Sequence, residues 1–341
     1  MTSGIVEHRT EPVDHLLALN EIPFGPLPSV RLALSEALGR VNRYPEFFPS
    51  RLADIISGHI GTTQDQIVVG PGLTGILTHL LREFVSAGDN VVMSVPTFDG
   101  YPILTEMAGG ICHAVALTGS GEHNLAAMAD AVDHRTRLVV VCSPHNPTGT
   151  CVDPAELAEF LTYIDPTIPV ILDEAYVEFA DPAHRTDPLA LVAMFPNVLV
   201  LRTFSKAYGL AALRIGYGIG SPTMIERIRR RLIPFEMNAL AEVAVAACYR
   251  AEPELLERIT PIIVERDRLS TRLRHLGFDV AASAANFVHV SYRSPSDSIA
   301  VLDAFNRARI AVKDCTSGVR ITVADCHSSG AVVGALSDTI T

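Results

Sequence analysis

The sequence predicts an α/β protein, with a mainly parallel seven-stranded sheet flanked by helices and a smaller α+β lobe. Three observations predict it. Short apolar runs alternate with helix-like segments through the middle of the chain, and the runs are apolar on both faces, as strands buried inside a parallel sheet must be. Beyond residue 235 the alternation gives way to long amphipathic helices.

Strands are expected at 66–69, 91–95, 111–117, 138–142, 170–172, 198–201 and 215–219, mostly β-branched or leucine and bounded by Gly, Pro, Asp or Asn. Helices are expected between them at about 50–59, 73–85, 124–132, from 153 onward and at 222–232. The segment Asp153-Pro154-Ala155-Glu156 carries the clearest start signal, with Asp153 as cap, Pro154 in the first turn and Glu156 placed to complete a capping box. In the last third, helices are expected at 238–250, 253–276 and 296–309, with strands at 287–291 and 319–323. Pro261 should kink or break the second of these helices. The domains expected are residues 41–235 as the larger, and 1–40 with 236–341 as the smaller.

Composition narrows the function classes. The 341 residues carry 27 basic and 38 acidic side chains, a formal net charge of -11, and no tryptophan or basic block, which argues against a nucleic-acid partner. Mean hydropathy is positive at +0.27, yet no run of about 18 apolar residues escapes charges and helix breakers, so no membrane span is expected. The opening MTSGIVEHRTEPVDHLL lacks a basic stretch followed by an apolar one, so no secretory leader is expected and a cytoplasmic location follows. No two of the six cysteines have the spacing of a metal or redox pair, and the twelve histidines form no ligand pattern; no metal is expected.

Three segments carry chemistry, and each follows an apolar strand. In Arg202-Thr-Phe-Ser205-Lys206 with Arg214 eight residues on, a lysine amine sits beside two anion-binding groups. Lowered in pKa, such an amine can form a Schiff base with a carbonyl cofactor, and Ser205 with Arg214 can hold a phosphate. Alone, Lys206 would read as a surface lysine. In Val170-Ile-Leu-Asp173-Glu-Ala-Tyr176 a carboxylate at a strand end wants a cationic partner, such as a protonated pyridine nitrogen. In Ser143-Pro-His-Asn146-Pro-Thr-Gly149 a turn-rich stretch can present the Asn146 amide.

The ordered set Asn146-Pro-Thr-Gly, Asp173-Glu-Ala-Tyr176 and Ser205-Lys206 with Arg214 resembles the fold-type I aminotransferases that use pyridoxal 5'-phosphate, specifically the branch of histidinol-phosphate and aromatic amino acid aminotransferases. Supporting stretches span residues 18–325, among them Leu19-Asn20-Glu21, Asn42-Arg-Tyr44-Pro, Pro96-Thr-Phe98, Ala285-Asn286-Phe287 and Val319-Arg320. The resemblance implies a three-layer sandwich and pyridoxal phosphate as cofactor, with Lys206 as its attachment point and proton shuttle. It places Asp173 on the pyridine nitrogen, Asn146 and Tyr176 on the phenolic oxygen, Phe98 against the ring, and Ser205 and Arg214 on the phosphate, helped by Tyr44 from a neighbouring subunit. Arg320 would hold the substrate carboxylate or a substrate phosphate, with Asn20 nearby in the N-terminal segment. A homodimer with shared sites is implied, as are small-molecule amino acid and 2-oxo acid substrates.

Three departures bear on specificity. The family's acidic phosphate loop appears as Gly70-Pro-Gly72-Leu73-Thr74-Gly75, leaving backbone amides at Gly72, Leu73 and Thr74 for the phosphate. Lys313 stands where relatives carry a second substrate-binding arginine. His145 replaces an asparagine and reads as a loop side chain. The resemblance implies a ping-pong aminotransferase for an aromatic amino acid or histidinol phosphate with a 2-oxo acid such as 2-oxoglutarate; Lys313 weighs against histidinol phosphate, and with the altered loop it opens an alternative. A decarboxylase, cyclase or elimination enzyme on the same fold is the alternative, and a non-catalytic relative is disfavoured by retention of the whole set.

Overall fold

This computed structural model describes residues 13–340; residues 1–12, on which most of the leader reading rests, and Thr341 lie outside the described residues. The first strand, β1 (His15–Leu16), is followed by seven strands that share one sheet: β2 (Ile67–Pro71), β3 (Asn90–Val95), β4 (Ile111–Ala116), β5 (Thr136–Cys142), β6 (Val170–Asp173), β7 (Val198–Thr203) and β8 (Ile215–Ile219). Their order is β2-β8-β7-β6-β5-β3-β4. Every pairing is parallel except those made by β8, which runs antiparallel to both β2 and β7. All seven coincide with the strands expected from sequence, differing only at their ends.

The sheet is the middle of three layers because its strands alternate between two apolar clusters. In β5, Val139 and Val141 join one cluster while Leu138 and Val140 join the other. Leu157, Phe160 and Leu161 of the helix Pro154–Tyr163 cover the first face with Leu52 and Ile56 of the helix Ser50–Ile60. Ile76, Leu77, Leu80 and Leu81 of the helix Gly72–Phe84 cover the second, with Ile225 and Ile228 of the helix Pro222–Arg229. Each such side chain removed from water contributes roughly 1.5–3 kcal/mol, which is why both faces must be covered. Asp153 caps its helix as expected, accepting from the amides of Ala155 and Glu156.

The C-terminal part builds β9 (Phe287–Ser291), β10 (Ile310–Ala311), β11 (Lys313–Asp314) and β12 (Gly318–Thr322). β11, β12 and β9 form an antiparallel sheet in that order, and β10 pairs in parallel with β1. The expected break at Pro261 does not occur. One helix runs unbroken from Glu252 to His275 with Pro261 inside it, buried on a face formed by Leu255, Ile259, Ile262, Leu269 and Leu273. Tertiary packing along that face outweighs the one backbone hydrogen bond a proline forgoes. Among the described residues no helix is long and apolar enough to cross a membrane.

Candidate active site

The C-terminal ends of β3, β5, β6 and β7 open on one side of the sheet, the usual crevice for ligands in open α/β sheets. A cavity of about 620 Å3 lies there. It is lined by Asn20, Leu73, Phe98, Asn146, Asp173, Tyr176, Ser205, Lys206, Arg214, Lys313 and Arg320, eleven of the fourteen residues singled out from sequence. The local folding explains the convergence: strands that end in register deliver Asp173 from β6, Lys206 from just beyond β7 and Asn146 from the loop after β5.

Lys206 donates through Nζ to the Leu19 carbonyl at 3.0 Å. Its pKa is lowered to about 8, chiefly by burial and then by the Arg320 guanidinium. A far larger share of the amine is therefore neutral near physiological pH than for an ordinary lysine, and the neutral form is the one a nucleophile needs. Asp173 is buried, and burial pushes its carboxyl above the ordinary range. Its partners are the Tyr101 hydroxyl, donating to Oδ2, and the Ala175 amide, donating to Oδ1 at 2.9 Å. Neither partner carries charge, so the carboxylate suits a cationic ligand atom.

At the other end, β2 turns at Gly72 into the helix Gly72–Phe84, and Gly216 on β8 lies against the turn. A Cβ on Gly216 would come within 2.7 Å of the Gly72 carbonyl carbon and 2.8 Å of the Leu73 nitrogen. Gly72 itself has φ +73, and a side chain there would collide with the Arg214 guanidinium. Arg214, also left-handed at φ 51, reaches Ser205 Oγ at 3.4 Å and Thr74 Oγ1 at 3.5 Å. The helix N-terminus, a guanidinium and two hydroxyls therefore face one small volume, which fits a phosphate. Gly72 and Thr74 do not line the main cavity but stand directly behind it, at Arg214.

Arg320 on β12 donates to Asn146 Oδ1 at 2.5 Å and to the Ala18 carbonyl, and its guanidinium lies over the Phe287 ring at 5.5 Å. Asn20, left-handed at φ 55, donates through Nδ2 to the Tyr176 hydroxyl at 3.0 Å and is tied to Thr322 and Asn286. A non-glycine residue in this conformation stores strain that the surroundings must hold, and such strain concentrates at functional sites. Tyr176 is buried, which pushes its phenol up to about 12. Phe98 lines the cavity and meets Tyr101 edge-on.

Sequence reading missed Tyr101 and Asp99. The signal for Tyr101 was its position three residues after Phe98, one helical turn on, in the helix Gly100–Met107. Asp99 accepts an ion pair from Lys313. His145 is buried and donates from Nε2 to the Pro96 carbonyl at 3.0 Å, with its pKa pressed well below the usual value by burial and by His123. It does not line the cavity. Tyr44, 85% exposed, lies outside the cavity altogether and meets Phe235 in a tilted contact with ring centroids 5.1 Å apart. Among the described residues no group of three His, Cys, Asp or Glu could hold a metal ion.

Residues 14–332 match the family of class I and II aminotransferases. The chain is 42% identical over 283 residues to the aromatic amino acid aminotransferase of Cutibacterium acnes, spanning 83% of this chain and 80% of that protein. It is 44% identical over 272 residues to the aromatic amino acid aminotransferase of Thermobifida fusca, spanning 80% and 76%. Among solved structures, histidinol-phosphate aminotransferase from Sinorhizobium meliloti, in complex with pyridoxal-5'-phosphate, superposes with a TM-score of 0.89 at 28% identity over 97% of this chain and 92% of that one. L-threonine-O-3-phosphate decarboxylase from Porphyromonas gingivalis, at 20% identity and a TM-score of 0.81, shares the fold alone. The chain belongs to the class I and II aminotransferases and is an amino acid aminotransferase.

Proposed function

We propose that this cavity transfers an amino group, by a ping-pong reaction, from an aromatic amino acid to a 2-oxo acid such as 2-oxoglutarate, with pyridoxal 5'-phosphate as cofactor. The observation that carries the reading is the convergence of an amine of lowered pKa, a buried carboxylate with uncharged partners, a phosphate cradle and a guanidinium on one cavity. The relatives named as aromatic amino acid aminotransferases favour an aromatic donor, and histidinol phosphate is the second candidate, by likeness to the Sinorhizobium meliloti enzyme.

Bound here, the cofactor supplies an electron sink for the pair left when an amino acid loses its α-proton. Lys206 would hold the cofactor through Nζ, and the same amine is placed to move that proton. Asp173 keeps the pyridine nitrogen protonated. Asn146 and Tyr176 hold the phenolic oxygen, Phe98 covers the ring, and Ser205, Arg214 and the amides of Gly72, Leu73 and Thr74 hold the phosphate. Arg320 takes the substrate carboxylate in a bidentate grip, with Asn20 and Lys313 beside it.

Residues 41–235 act as the cofactor-binding domain, and 1–40 with 236–341 as the domain that closes on substrate; the pairing of β1 with β10 supports grouping the two ends. A homodimer is part of the reading, with Tyr44 reaching the partner's phosphate site. So is a cytoplasmic location, favoured by six cysteines that are all free thiols. A panel of amino donors, followed through the spectrum of the bound cofactor, tests the reading. Aromatic donors should convert the cofactor and 2-oxoglutarate should restore it; a cofactor inert to every donor would refute transamination. Lys206→Ala should abolish both the bound-cofactor spectrum and turnover.

A further inference from the structure

An aminotransferase that serves an aromatic donor and 2-oxoglutarate must seat side chains with and without a distal negative charge in one cavity. Lys313 on β11 stands directly across from Arg320 on β12, so the two cations leave the sheet on the same face, close enough for one dicarboxylate to reach both. Lys313 reaches across the cavity to Asp99, in the loop after β3, with Nζ 2.7 Å from Oδ2. The two partners differ in exposure: the Lys313 side chain is 8% exposed and that of Asp99 43%. A buried ammonium needs a counter-charge at all times, whereas a carboxylate at the rim can return to water at little cost. The same cavity also presents apolar groups, among them Leu19, Pro102 and Ile103.

We propose that Asp99 is a displaceable counter-ion for Lys313. With an aromatic substrate the Asp99–Lys313 pair stays closed and Lys313 is neutralised beside an uncharged side chain. With 2-oxoglutarate or glutamate the distal carboxylate takes the place of Asp99, which turns out to solvent. The buried cation stays and the exposed anion moves. The pair thereby sets substrate preference, and the proposal rests on the transamination reading above.

The test uses the enzyme loaded with cofactor and two unreactive probes, glutarate for the dicarboxylate and 3-phenylpropionate for the aromatic acid, with dissociation constants measured by calorimetry. Asp99→Asn removes the internal competitor, so the ratio of the glutarate to the 3-phenylpropionate constant should fall about fivefold. Lys313→Gln removes the cation, and the ratio should rise by about the same factor. A ratio that is unmoved by both substitutions, or that moves in one direction in both, overturns the proposal. Conversion of the cofactor by an aromatic donor is followed in parallel. Its absence overturns the transamination reading and the proposal with it, whereas intact conversion with an unmoved ratio overturns the proposal alone.

Discussion

Lys206 and Asp173 show how burial, with the charges around it, prepares groups for chemistry. The folded-state pKa of Lys206 is depressed to about 8 from an ordinary value of 10.5, so the reactive neutral amine gains as pH rises through 8 and is lost as pH falls below it. Reconstitution of the apoprotein should therefore accelerate between about pH 7 and 9 and then level off; a midpoint near the ordinary lysine value would count against the burial argument. Among the described residues, Tyr101 donates the one side-chain hydrogen bond to Asp173. Hydrogen bonds to charged groups are worth roughly 1.5–3 kcal/mol, so Tyr101→Phe, which keeps the ring, should weaken cofactor binding at least about tenfold. Cofactor titration monitored by absorbance checks this, and an unchanged affinity would remove Tyr101 from the site. Lys206, Asp173 and Asn146 were legible because each stands at or just beyond the end of a buried strand within a recognisable local pattern, whereas Arg320, inside β12, was reached only through the resemblance. Tyr101 was not, because an aromatic one turn into a helix looks the same whether it packs or donates to a carboxylate.

At the scale of elements, the sheet was readable because its inner strands are buried on both faces and cannot be mistaken for solvated ones, although the edge strand β4 is largely exposed. The two-residue strands β10 and β11 carry too few side chains to show a period, yet β11 delivers Lys313. At Pro261 the local rule allowed a kink or a break, and the break does not occur because a long buried helix face holds both halves against the core. The helix Gly72–Phe84 and the phosphate loop before it were expected from sequence, and the structure explains the glycines through the close approach of β8. Gly72→Ala should be costly there, because an L-residue at φ +73 is strained by about 1–2 kcal/mol and its methyl strikes Arg214. The variant should keep its far-ultraviolet circular dichroism while losing about tenfold in affinity for pyridoxal phosphate. Affinity for pyridoxal, which lacks the phosphate, should change far less; equal losses for both would mean a general disturbance and not damage to a phosphate cradle.

Across the whole molecule, the net charge of -11 says little about the cavity, where Lys206, Arg214, Lys313 and Arg320 face Glu21, Asp99, Glu106 and Asp173. The surface is more informative. Tyr44, Phe47, Phe48 and Phe235 form a contiguous exposed cluster, with ring centroids 4.9–5.1 Å apart along the chain of contacts. Exposed apolar clusters of this kind mark interfaces, and a two-fold axis would let each copy cover the other's. A second cavity, lined by Val41, Pro71, Leu213, Arg214 and Glu236, leads from this side to the guanidinium of the phosphate cradle. Pairing through the cluster would thus complete the cofactor site as well as bury the rings. Light scattering should give a mass twice the 36.7 kDa of one chain. Replacing Phe47 and Phe235 together by aspartate places buried like charges across the axis, so the mass should fall toward one chain and cofactor affinity should fall with it. A monomer that binds cofactor as tightly as the parent would show the site complete in one chain and Tyr44 irrelevant to it.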